Sequence, residues 1–159
     1  MGYYHVAQIC LNGHMITDSS DTYPELCSPY CPKCGAATIT ACPSCGAPLL
    51  GDYDCGIPII GSQAPVNAYC HQCGKPYPWT ESALESTKQM ILEEESITEP
   101  VKNAAIETLP DLLSETPKTN LAVVRIKKVL SSAGKFTSDA VRQFVIDFGC
   151  ELAVKLFNS

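Results

Sequence analysis

The chain has 159 residues, ten of them cysteine, and a formal net charge of −6 at neutral pH. That length suits one domain, or a small metal-held module joined to a helical unit, and the acidic balance argues against a surface built throughout for nucleic-acid phosphate. No run of about eighteen apolar residues suggests a membrane span, and the start Met1-Gly2-Tyr3-Tyr4-His5 lacks the basic and apolar regions of a signal peptide, so a cytoplasmic location is expected.

The composition changes near residue 80. All seven tyrosines and Trp79 lie within residues 1–79, whereas all four phenylalanines follow residue 135. Residues 1–79 carry net charge −3, residues 80–118 −6, and residues 119–159 +3. In the Gly- and Pro-rich first segment, Tyr4-His5-Val6-Ala7-Gln8-Ile9 reads as a strand entering Cys10, and Ala37-Thr38-Ile39-Thr40 as another. In a reducing cytoplasm such cysteine pairs point to metal rather than disulfides.

Three Cys-x-x-Cys-Gly knuckles follow one another: Cys31-Pro32-Lys33-Cys34-Gly35, Cys42-Pro43-Ser44-Cys45-Gly46 and Cys70-His71-Gln72-Cys73-Gly74. Each bends the backbone so that two thiolates converge, and the Gly permits the positive φ of the turn. The second and third, 24 residues apart, make a four-sulfur zinc site of Cys42, Cys45, Cys70 and Cys73. The first knuckle needs a partner pair, which Cys10-Leu11-Asn12-Gly13-His14 supplies, giving Cys10, His14, Cys31 and Cys34. Pairing in chain order is favoured because it closes shorter loops; crossed pairing, or Cys27 in place of a first-site ligand, are the alternatives. Two filled four-donor shells imply two structural Zn²⁺ ions per chain, because a catalytic zinc keeps a position open. His5 and His71 are surplus to those shells, and Cys55 and Cys150 have no partner at knuckle spacing.

The fold class expected is therefore a small metal-stabilised β module of tandem zinc ribbons over residues 1–79, followed by an all-α C-terminal region. An acidic helical connector is expected over residues 80–118 and a helical hairpin over 119–159, three or four helices in all. Thr80, Thr98, Asn120 and Ser138 are the expected caps, and Leu109-Pro110 to Asn120 is the expected break. The last helix, about Asp139 to Phe157, has apolar residues on two faces: Val141, Val145, Phe148, Leu152 and Leu156 on one, Ile146, Cys150, Ala153 and Phe157 on the other. A single neighbour does not cover both, so self-association as a dimer is expected; the competing arrangement folds the acidic helices back over the same surface.

Taken together, Ile9-Cys10-Leu11-Asn12-Gly13-His14, two Cys-Pro-x-Cys-Gly-Ala knuckles, and Tyr69-Cys70-His71-Gln72-Cys73-Gly74-Lys75-Pro76-Tyr77-Pro78-Trp79-Thr80 resemble an uncharacterised family of bacterial double-zinc-ribbon proteins. The likeness runs the full length and includes Leu109-Pro110-Asp111-Leu112-Leu113. It implies a bacterial source and a ribbon fold.

For function, the expectation is a noncatalytic adaptor that binds a protein partner, since no Gly-x-Ser-x-Gly, phosphate loop or His-Glu-x-x-His is present. Nucleic-acid binding is disfavoured because residues 1–79 contain Lys33 and Lys75 as their only Lys or Arg side chains. A thiol enzyme at Cys27, Cys55 or Cys150 is the third reading, opposed by Asp52 and Asp54 beside Cys55. Tyr77 and Trp79 are expected to cover the knuckle sulfurs, and Gly56-Ile57-Pro58-Ile59-Ile60-Gly61 either to fill a gap or to present an apolar patch. The cations Arg125, Lys127, Lys128, Lys135 and Arg142 are expected on a solvated face, membrane-surface contact being the less favoured use.

Overall fold

A computed structural model describes residues 2–159, and in it the first hydrophobic run is shared between two sheets. Strand β1 (Tyr3–Val6) pairs antiparallel with β5 (Leu50–Asp54), while β2 (Gln8–Cys10) lies between β3 (Met15–Thr17) and β4 (Thr38–Ile39). The single strand expected over Tyr4–Ile9 is thus broken at Ala7. Its side chain is fully buried and its N–H donates to Leu49 O at 3.0 Å, which turns the chain from one ladder into the other. Short bridges, Tyr30 with Ala37, Ala41 with Pro48 and Tyr69 with Pro76, close the three knuckles.

This first unit runs to Glu81. Ile9 and Leu49 are the large aliphatic side chains in its core, beside Cys10, Cys31, Cys42, Cys70, Tyr77 and Trp79. Burying one aliphatic side chain is worth roughly 1.5–3 kcal/mol, whereas ordering each residue costs about 1–2 kcal/mol. Such a core does not hold some eighty residues by apolar burial alone, which is the condition under which metal cross-links carry a fold.

The second unit, Ser82–Ser159, is helical. The chain contributes α1 (Pro78–Glu93), within which the division between the units falls, then α2 (Glu99–Thr108), a 3-10 turn over Leu109–Leu112, α3 (Thr119–Ser132), α4 (Lys135–Phe148) and α5 (Glu151–Phe157). Helix α3 is central: it buries Ala122, Val123, Ile126, Val129 and Leu130 and packs against α2, the 3-10 turn, α4 and α5. The acidic segment and the basic segment therefore share one unit.

Several boundaries differ from the sequence reading. The first helix begins at Pro78 rather than after Thr80, whose hydroxyl instead donates to Ala68 O at 2.8 Å. Helix α3 starts at Thr119, with Lys118 in the cap position instead of Asn120, and α4 follows Gly134 rather than Ser138. The stretch 119–159 holds three helices and not a hairpin, because Gly149 and Cys150 are extended and end α4. Cys150 N–H leaves the helical ladder for Leu112 O at 2.8 Å. A Cβ on Gly149 would meet Val145 O at 2.4 Å, so this break requires glycine.

The break also changes the accounting of apolar faces. Phe144 and Phe157, two of the three rings on which the dimer expectation rests, are buried at 5% exposure each, and Phe148 is half-buried while stacking on Phe144. Lys127 Nζ donates to Leu156 O at 2.9 Å and to Ser159 O at 3.2 Å, satisfying carbonyls at the end of α5. Arg142 lies 5.4 Å from the Phe157 ring centre, so part of the basic segment is engaged inside its own unit.

Candidate metal centres

The repeated knuckle is a local consequence of its sequence. In each, the N–H of the Gly returns to the carbonyl of the first Cys: Gly35 to Cys31 at 2.8 Å, Gly46 to Cys42 at 2.9 Å and Gly74 to Cys70 at 2.9 Å. The three glycines have φ of 75°, 78° and 75°, a conformation in which a Cβ would be strained. The first Cys of each knuckle is then buried and the second exposed. Cys10-Leu11-Asn12-Gly13-His14 makes an analogous turn, with Gly13 N–H donating to Cys10 O at 2.9 Å and His14 N–H to the Cys10 sulfur at 3.2 Å.

The structure brings these turns together in two groups. Cys10, His14, Cys31 and Cys34 offer ligand atoms all within 4.8 Å of one another, and so do Cys42, Cys45, Cys70 and Cys73. The grouping follows chain order. Cys27 and Cys55 belong to neither group; Cys55 Sγ lies 3.7 Å from Ile57 O, and Cys150 caps α5 in the second unit.

The spacing within each group tests whether an ion fits. Tetrahedral bonds of about 2.3 Å to sulfur set sulfurs about 3.75 Å apart, and a sulfur–imidazole edge comes to about 3.6 Å. The sulfurs of Cys10 and Cys34 are 3.7 Å apart, those of Cys42 and Cys73 3.8 Å, and those of Cys45 and Cys70 3.7 Å. His14 Nδ1 stands 3.4 Å from the Cys10 sulfur and 3.6 Å from the Cys31 sulfur, so Nδ1 is the nitrogen turned into the group. A disulfide needs about 2.05 Å between sulfurs, far shorter than any of these. Both donor sets fit a tetrahedral metal ion.

Polar groups favour the thiolate form that a metal requires at some of the sulfurs, while at Cys45 the Ala47 N–H is outweighed by burial and the neighbouring Cys70, Cys73 and Cys42 thiols, which push the thiol up to about 11. The backbone N–H of Ala36 and then the Asn12 amide, whose Nδ2 is 3.3 Å from the sulfur, hold the Cys34 thiol down to about 6. The N–H groups of Cys73 and Gln72 do the same for Cys70, also to about 6. Burial pushes the Cys10 thiol up. Asn12 is thus a supporting residue that ligand spacing alone did not single out.

Tyr77 and Trp79 occupy the interior of the module. Their rings stack with centres 4.7 Å apart and only 3% and 2% of the residues exposed, and Trp79 Nε1 donates to Asn67 O at 2.9 Å. A Cβ on Gly13 would lie 3.0 Å from Trp79 Cβ, so the indole side chain seats against the turn that holds Cys10 and His14. Tyr77 reaches the other group: burial first, and then the Cys70 thiol, raise its hydroxyl pKa. One aromatic stack therefore touches both centres. The Gly56–Gly61 loop takes the other of its two expected roles, leaving Ile57, Ile59 and Ile60 exposed at 72%, 67% and 99%.

These features define a small metal-stabilised β module with two cysteine-based clusters, followed in the chain by an all-helical unit. The chain belongs to the family described as uncharacterized protein conserved in bacteria (DUF2321), whose pattern matches residues 3–157. No curated protein and no solved structure matches the chain. Among the described residues no helix is long and apolar enough to cross a membrane.

Proposed function

We propose that this protein is a noncatalytic zinc-ribbon adaptor of the bacterial cytoplasm, in which two structural zinc ions hold a rigid surface for a protein partner. The observation that supports this most directly is the pair of four-donor groups at tetrahedral spacing. Each group fills a four-coordinate shell, leaving no place for water or substrate, and a mixed Cys/His set beside an all-Cys set suits zinc. Cys10, His14, Cys31 and Cys34 hold one ion; Cys42, Cys45, Cys70 and Cys73 hold the other. The ions supply cross-linking that the sparse core of Ile9 and Leu49 does not. Exposed aromatic and aliphatic side chains, Tyr3, Tyr23, Tyr30, Tyr53 and Ile60 among them, give the module contact surface out of proportion to its core.

The test is elemental analysis of protein purified without added metal, followed by capture of partners on the zinc-loaded chain. About two zinc ions per chain are expected, with a protein retained after nuclease treatment. Iron in place of zinc would refute the metal assignment, and retention of nucleic acid alone at low salt would replace the adaptor reading with a nucleic-acid one.

A further inference from the structure

One surface of the first unit lies outside both metal centres. A cavity of about 480 Å³ is lined by His5, Tyr23, Asp52, Tyr53, Asp54 and Ile59, among others. Its Tyr23 wall is open to solvent at 51% exposure, whereas the Tyr53 ring packs on Tyr4 on the other face of β5. His5 sits between two carboxylates, Nδ1 3.2 Å from Asp21 Oδ2 and Nε2 3.7 Å from Asp54 Oδ2. Asp54 Oδ1 also accepts the Gly56 N–H at 2.8 Å, which fixes that carboxylate at the rim. Asp52 is different: its side chain is half-buried yet makes no hydrogen bond or ion pair among the described residues. The Lys and Arg side chains of residues 1–79 are Lys33 and Lys75, and neither lines the cavity.

We propose that this cavity receives an arginine or lysine side chain from an extended segment of a partner protein, with an aliphatic neighbour of that side chain laid on the exposed Ile57–Ile60 loop. The assignment rests on complementarity. An unpaired carboxylate attracts a cation and orients its N–H groups, the Tyr23 ring attracts the same cation through its π electrons, and the aliphatic loop fixes which residue stands beside it. An acidic or purely apolar segment would leave Asp52 desolvated and unpaired. This deepens the adaptor reading by naming the chemistry of the partner, and it rests on that reading.

The experiment uses the full, zinc-loaded chain labelled with ¹⁵N, titrated at low salt with acetyl-Leu-Arg-Leu-amide and, as a control, acetyl-Leu-Glu-Leu-amide. The arginine peptide should shift the amides of Tyr23, Tyr53, Gly56 and Ile59, and the glutamate peptide should not. Asp52→Asn and Tyr23→Leu should each weaken binding by roughly two- to fivefold, the size of one exposed charge or cation–π contact, with zinc content unchanged. Shifts that are absent, spread over the whole chain, equal for the two peptides, or unaffected in both variants would overturn the inference. A partner still captured by Asp52→Asn and Tyr23→Leu, together with absent peptide shifts, would place docking on another face and leave the adaptor reading standing. Failure to capture any protein, with the peptide shifts present, would instead remove the adaptor reading while leaving the cation pocket.

Discussion

Replacing Cys73 by Ser isolates the contribution of one metal centre. Cys73 is exposed and its sulfur stands 3.8 Å from that of Cys42, so the substitution removes one of four thiolates without opening a cavity in the buried part of the module. A structural zinc contributes roughly 10–16 kcal/mol at neutral pH. One bond in four is then worth on the order of 2.5–4 kcal/mol, or roughly sixty- to nine-hundredfold in affinity. A chelator titration with an absorbing zinc indicator should resolve this directly: the wild type releases about two ions at high chelator concentration, and Cys73→Ser releases one early and one at the wild-type position. Cys27→Ser, outside both groups, should keep two ions at wild-type affinity. Equal weakening of both ions by Cys73→Ser, or loss of an ion from Cys27→Ser, would refute the grouping.

Three further outcomes follow from named contacts. Glu94 accepts from the Thr137 hydroxyl, from Ser96 and from the Gly134 N–H, and these hold its carboxyl down to about 2. Because the folded value lies below the unfolded one of about 4.3, its stabilisation is complete above that value and is lost as pH falls through about 2. Helical melts at 222 nm should therefore decline across that acidic window in the wild type and decline less in Glu94→Gln; parallel curves would remove Glu94 from the account. Gly149→Ala should destabilise the helical unit by roughly 1–3 kcal/mol, since its Cβ meets Val145 O, and an unchanged melting temperature would contradict the tight break. Light scattering at tens of micromolar should give a monomer, because Phe144 and Phe157 are already covered within the second unit; a dimer dissociated by Phe148→Glu would restore the earlier expectation.

What the sequence made legible was whatever depends on short spacing. The knuckles and the Cys10–His14 turn are set by a few consecutive residues, so their positions can be read without knowing the fold, and the structure groups those same residues. The choice of Nδ1 on His14 and the support of Cys34 by Asn12 needed three-dimensional distances. Helix ends were harder. Asn120 and Ser138 are reasonable caps by residue type, but Thr119 accepts the Thr116 N–H at 2.9 Å while α4 starts after Gly134, and such choices come from how neighbouring segments meet. The break at Gly149 is set by Leu112, remote in sequence, and the split at Ala7 by Leu49. The cavity beside His5 was invisible for the same reason: its walls come from residues 5, 19, 23, 52–54 and 56–59, which no local motif connects.

Chain-order grouping bears on how the module is made. Every donor of the first centre precedes Cys42, the first donor of the second, so a nascent chain leaving the ribosome can fill one site before the other has been synthesised. Crossed ligands would have forced both to wait. Trp79 arrives only after all eight donors, and it then seats on Gly13 at the far end of the ribbon while its stacking partner Tyr77 lies by Cys70. Chain order thus permits sequential metal capture, whereas locking of the two halves waits for Tyr77 and Trp79. A truncated chain ending between Cys73 and Tyr77 would carry a full complement of ligands and still lack the clasp that makes them one body.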